Sequence, residues 1–224
     1  MNGRVIIWLR HHGIVLVNTT LFVVFLVGMA ITGWQTNNDD LIQHGDAAQS
    51  LGTFLTSGEF FEAVFENWES EFLQMGSYVV LTIFLFQKGS SESKPIGTPA
   101  PQDDDPRTVG EELGIPWPVR RGGIWLVLYE NSLLILFAVL FIGAFAGHAI
   151  GGAAAYSQEQ LQHGGGAVTP LGYLATSQFW FESFQNWQSE FMVVAVLAGA
   201  AVFLRQRGSP ESKPVAAAHT ETGG

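Results

Sequence analysis

The chain has 224 residues, of which 47% are hydrophobic and only 13% charged, and a formal net charge of −10. A soluble domain carries about 25% charged residues, so the deficit places much of the chain in a bilayer, and the negative charge leaves no basic face for nucleic acid. With no cysteine, disulfides, thiolate metal sites and thiol redox chemistry are excluded.

In chain order, Arg4 and Arg10 precede an uncharged run from Gly13 to Asn38. It is too long for a cleaved leader and exceeds the ~20 residues a spanning helix needs, so it is predicted to be a retained span. Asn18, Thr19 and Thr20 within it offer interhelical hydrogen bonds. An acidic stretch with Asp39, Asp40 and Asp46 follows, and contains the loop "QHG" at 43–45.

Thr56 to Glu59 has capping-box spacing, which predicts a helix start. The helix continues without proline to Gln87, and its apolar part, Phe72 to Gln87, is short for a span. Glu59, Glu62, Glu66 and Glu69 recur at helical spacing and read as a solvated face, opposite the aromatic face of Phe60, Phe61, Phe65, Trp68 and Phe72. Trp68 and its counterpart Trp187 are expected at headgroup depth. Glu71 falls off the acidic face and shares a stripe with Asn67, Gln74 and Tyr78.

"KGSSESKP" (88–95) forms a basic, proline-stopped exit. The segment 96–119, rich in Pro and Asp, reads as a flexible cytoplasmic linker. Then the pattern returns. An apolar run from Asn131 to Gln158 carries Gly143, Gly147 and Gly151 at four-residue spacing and a lone His148. "QHG" recurs at 162–164, "FENWESEF" (65–72) as "FQNWQSEF" (184–191), and "RGSPESKP" stands at 207–214. The chain matches itself at an offset of 119, which predicts a duplicated two-span hairpin. An even number of spans per unit gives both copies the same orientation. The domain reading is a first repeat over 1–95, a linker over 96–119, a second repeat over 120–214 and a disordered tail over 215–224.

The fold expected is all-α: an integral membrane protein of four transmembrane helices in two parallel hairpin repeats, with amphipathic outer segments. Lys and Arg fall only before the first span, between the second and third, and after the fourth. Both termini are therefore expected in the cytoplasm.

The residues with chemistry to offer are few. Glu71 and Glu190, with Asn67, Asn186, Gln74 and Tyr78, form the candidate polar or ion site, because an ionisable group at membrane depth turns inward and seeks partners. The alternative is that these groups cap a span entrance. His44 and His163 are secondary candidates, each followed by Gly in a loop. Neither a Glu-x-x-His nor a His-x-x-x-His pair occurs on these helices, so no metal or cofactor is expected, and no nucleophile or catalytic signature is present.

The "NW.SEF" and "GS.ESK" motifs, with the "HG" loop, resemble those of an uncharacterised bacterial family of small duplicated membrane proteins, a domain of unknown function. The resemblance covers almost the whole chain and implies the bacterial inner membrane; it carries no activity. The expected function is a non-enzymatic accessory or interaction module, partnered by the lipid bilayer and by another membrane protein or a second copy of itself. The alternative is a small cation or proton channel or transporter with Glu71 and Glu190 at its outer mouth.

Overall fold

A computed structural model describes residues 3–108 and 114–223; residues 109–113 of the predicted linker, with 1, 2 and 224, lie outside the described residues. The regular structure of the described residues is all helical, with no strand among them. A short α1 (Gly3–His11) leads into α2 (Gly13–Gln43), one turn forms α3 (Leu51–Phe54), and α4 runs from Gly58 to Phe84. After two 3₁₀ turns at Pro101–Asp103 and Pro106–Thr108 come α5 (Trp117–Arg121), α6 (Gly123–Glu130), α7 (Ser132–Gln162), the one-turn α8 (Pro170–Tyr173) and α9 (Ser177–Ala200).

Helix starts follow local chemistry. Ser57 caps α4 by accepting from the Phe60 amide, and Thr176 caps α9 by accepting from the Phe179 amide. The cap is one residue later than the capping-box spacing from Thr56 predicts, because Thr56 still belongs to the turn that follows α3, its amide and hydroxyl bonded back to the Thr53 carbonyl. The caps Ser57 and Thr176 stand at the same 119-residue offset as the repeated motifs. Further back, Asn38 binds the Gln49 backbone, and Ser157 binds the Val168 backbone in the same way, so each long helix is tied to the loop that follows it.

Two helices, α2 and α7, are long and apolar enough to cross a membrane. At 31 residues each, they reach about 46 Å against a hydrocarbon core of about 30 Å. α4 and α9, with 27 and 24 residues, have length enough at about 40 and 36 Å, but their first halves are too polar to pass on composition. Inside α2, Asn18 and Thr20 do not reach other helices. Their side chains bond back to the carbonyls of Ile14 and Leu16, one turn earlier.

The bundle is built on α4 against α7. A Cβ at Gly151 would lie 2.6 Å from the Glu62 backbone nitrogen, and one at Gly147 2.5 Å from the Phe65 ring. Gly58 answers from α4, where a Cβ would meet the Ala155 nitrogen at 2.6 Å. Gly143, at the same spacing, has no neighbour within 4 Å, so only part of the predicted small-residue stripe is an interface. α8 and the start of α9 close one end of this pair through a core of Ala149, Ala153, Tyr173 and Phe179. α9 crosses α4 lower down, where the Gln74 amide donates to the Glu190 carbonyl at 3.0 Å. α2 lies at the side, touching the bundle through Phe22 on Trp68 and Phe54 beneath Gly33.

At the basic end the two "ESKP" turns lie together. Ser93 accepts from the Gln87 amide and Ser212 from the Gln206 amide, while the Ser91 hydroxyl donates across to the Glu211 carbonyl. Lys94 pairs with Asp103 of the linker at 2.7 Å, and the fully buried Lys213 ammonium donates to the carbonyls of Ala218, His219 and Glu221 in the tail. Glu92 sits beside Glu211 here, and burial, then that neighbouring charge, hold its carboxyl above the ordinary range.

Candidate functional site

The acidic face of α4 turns inward. The expectation of a solvated face does not hold, because Glu62, Glu66 and Glu69 lie on the side of α4 that meets α7 and α9. Glu69 and His148 are both 0% exposed. His148, on α7, is the centre of the arrangement: Nδ1 lies 3.1 Å from a Glu69 carboxylate oxygen and Nε2 3.2 Å from one of Glu182 on α9.

Each of these carboxylates is held by further donors. The second Glu69 oxygen accepts from the Ser183 hydroxyl at 2.9 Å and from the Trp187 indole at 3.2 Å. Trp187, expected among headgroups, thus turns its N–H into the bundle. The Tyr173 hydroxyl lies between Glu62, 3.0 Å away, and Glu182, its one proton serving either carboxylate, and Gln178 donates to the other Glu182 oxygen at 2.6 Å. Asn186 donates to Glu66. The Phe179 ring stacks on the His148 imidazole with centroids 4.6 Å apart, which fixes the ring plane.

Two carboxylates, Glu69 and Glu182, therefore touch one imidazole, and Glu62 and Glu66 stand close by on Tyr173 and Asn186. Among the described residues no Lys or Arg pairs with any of them. Even with the imidazole doubly protonated, four ionised carboxylates leave the cluster strongly negative, and buried charge of one sign is costly unless a cation or protons offset it. One side chain oxygen or nitrogen from each of Glu62, His148 and Glu182 lies within 4.8 Å of the others.

The cluster is not sealed. A cavity of about 410 Å³ opens from Glu62, Tyr173 and Glu182 toward the acidic end, past Glu59, Glu159 and Asp40. His44 and His163 also line it, so the secondary candidates meet in one vestibule. Each is held over its own helix end, its Nδ1 2.9 Å from the carbonyl of Asp40 or Glu159.

The other candidates are dispersed. Asn186 joins the cluster through Glu66. Asn67 is exposed and bonds back to the Ala63 carbonyl at 2.8 Å. Glu71 is exposed and Glu190 half-buried. Gln74 is buried at the α4–α9 crossing. Tyr78 lies further down α4, where its hydroxyl donates to Glu92 at 3.3 Å on the wall of a larger cavity at the basic end.

His148, Glu182 and Glu69 were not singled out as site residues by sequence reasoning. One signal was present: they stand where the two halves differ. At the 119-residue offset His148 matches Met29, Glu182 matches Ala63, and Glu62, Glu66 and Glu69 match Phe181, Gln185 and Gln188. The titratable members of the cluster are residues that only one half possesses, while Asn186 and Trp187, which bond to them, have counterparts in Asn67 and Trp68. Compared with known proteins, the chain matches the model of a domain of unknown function, DUF6766, over residues 6–224, and it belongs to that family. No curated protein and no solved structure matches it.

Proposed function

We propose that this protein is a multi-pass membrane protein that takes a cation from the acidic vestibule into the buried cluster and acts as a small cation transporter. The observation that supports the reading is the gathering of Glu62, Glu66, Glu69 and Glu182 around His148, two of them in contact with it, with no Lys or Arg paired to them among the described residues. An ion-pair network built for stability balances its charges; this one leaves a place for positive charge. The acid-lined vestibule concentrates cations at the entrance.

The reading keeps the transporter alternative and moves its centre from Glu71 and Glu190 to Glu62 and Glu182, a little over two turns nearer the acidic end. Below it, Gln74 and Tyr78 carry polar groups along α4 toward the cavity at the basic end, which favours passage over storage. In this reading all four long helices cross the bacterial inner membrane, as two same-orientation copies of one hairpin with both termini in the cytoplasm. Glu62, Glu66 and Glu69 of α4 do not prevent crossing, since they face the bundle and not lipid, and the exposed Glu71 is the one acid the bundle does not cover in the lower half of α4.

The test is flux. Protein reconstituted without a histidine tag is expected to pass protons, monovalent cations or divalent cations above protein-free liposomes. Glu62→Gln with Glu182→Gln is expected to return that flux to background. Liposomes that contain folded protein and pass none of these ions would sink the reading.

A further inference from the structure

The geometry points to a divalent transition-metal site of the zinc class, with His148 Nε2, Glu62 and Glu182 as ligands and Glu69 as the carboxylate that orients His148. This rests on the reading of the cluster as a cation site, and names the cation that fits it.

The ligand set argues the class. Calcium and magnesium ask for six or more oxygens, or for octahedral oxygen with retained water. Here an imidazole nitrogen and two carboxylates converge, the mixed set that zinc and its first-row neighbours accept. Around a tetrahedral zinc with bonds near 2.1 Å, ligand atoms stand roughly 3.4 Å apart. The three ligand atoms lie within 4.8 Å of one another, so closure by at most about 1.4 Å brings them to that spacing and leaves the fourth position open. Glu62, half-buried at the vestibule rim, has room to make it.

The surroundings argue it independently. A metal-bound histidine gives its other ring N–H to a carboxylate or carbonyl, which sets the tautomer and the ring direction. His148 Nδ1 has that partner in Glu69, 3.1 Å away and wholly buried. Glu69 is fixed in turn by Ser183 and Trp187, so it cannot swing in to become a ligand without losing both. Tyr173 holds the Glu62 and Glu182 carboxylates side by side. The side left open faces the vestibule, which supplies the entry path and space for water or exchange.

The same buried groups also describe an imidazolium clamped between two carboxylates, and metal binding separates the two. Protein without a histidine tag, stripped with a chelator in detergent, is titrated with Zn²⁺ and with Co²⁺. One equivalent of either ion is expected to bind, with Co²⁺ giving the visible absorption of a low-coordinate nitrogen–oxygen site. His148→Gln and Glu182→Gln are expected to weaken binding by at least ~100-fold, and Glu69→Gln by about 10- to 100-fold with a changed Co²⁺ spectrum. Glu62→Gln, at the rim and outside the packed core, gives the same test should a buried variant fail to fold. Folded protein that binds neither ion overturns the inference. So does binding that survives in folded Glu62→Gln and Glu182→Gln proteins, or is lost in the His44→Asn/His163→Asn double variant, since the metal would then sit on the loops. Flux of protons or monovalent cations without metal binding removes this inference and leaves the transporter reading standing. Metal binding without flux does the reverse.

Discussion

Glu69 and Glu71 are two residues apart on one helix and have opposite fates. Glu69 has no exposed surface and accepts from three side chains on two other helices, whereas Glu71 is exposed. Removing one member of a buried pair leaves its partner desolvated and unpaired, so Glu69→Ala is expected to destabilise the detergent-solubilised protein by about 3–5 kcal/mol. Glu71→Gln is expected to change stability by less than about 0.5 kcal/mol, and thermal unfolding in one detergent checks both. Equal losses at the two positions would show that burial does not separate them. From the sequence, Glu71 stood out because it left the acidic face and lay among apolar positions. Helical spacing separates Glu71 from the acidic face but does not say which side of α4 meets the bundle. A wheel fixes angles within a helix, while the direction of the neighbour is set by Gly147 and Gly151 on α7. His148 was legible as the lone titratable side chain of an apolar run, but its partners lie 79 and 34 residues away, beyond any local pattern.

Among elements, the interface of α4 and α7 determines where the site's ligands stand. Gly151 admits the Glu62 backbone, and Gly152 lies against Tyr173 and the Glu62 carboxylate. A methyl at Gly151 pushes on backbone, which cannot rotate away, so Gly151→Ala is expected to cost about 1–3 kcal/mol and to displace Glu62 from Glu182. Gly143→Ala, in open space, is expected to be neutral or slightly stabilising, because alanine favours the helix by about 1 kcal/mol over glycine. Parallel melts of the two variants decide it, and equal behaviour would mean that the close approach is not what holds the pair. Helix positions and the four-residue glycine spacing were readable from periodicity. Which glycines are contacts was not, because spacing repeats along a whole helix while two straight rods touch over only part of their length.

For the molecule as a whole, the outstanding choice is between four crossings and two. On hydropathy alone only α2 and α7 qualify. If just these crossed, the linker between α4 and α5 would lie on the same side as the "QHG" loop at 43–45. If all four cross, the linker lies opposite that loop, together with both termini. The distribution of Lys and Arg supports four, and the inward turn of Glu62, Glu66 and Glu69 removes the objection that α4 is too acidic for lipid. The chain has no cysteine, so single substitutions report without background. Gly45→Cys and Gly164→Cys, in glycine turns with nothing within 4 Å, sample the acidic end, and Gly97→Cys samples the linker. All three glycines have positive φ, between 76° and 85°, so each substitution carries a comparable local strain and folding is checked alongside labelling. With a membrane-impermeant maleimide added to intact cells, the first two are expected to label. Gly97→Cys is expected to label only after the membrane is opened. Labelling of Gly97→Cys in intact cells would make α4 a helix that does not cross. The cavity at the basic end would then share a side with the vestibule, and the cluster would be a binding site with one entrance, not a station on a path through the membrane.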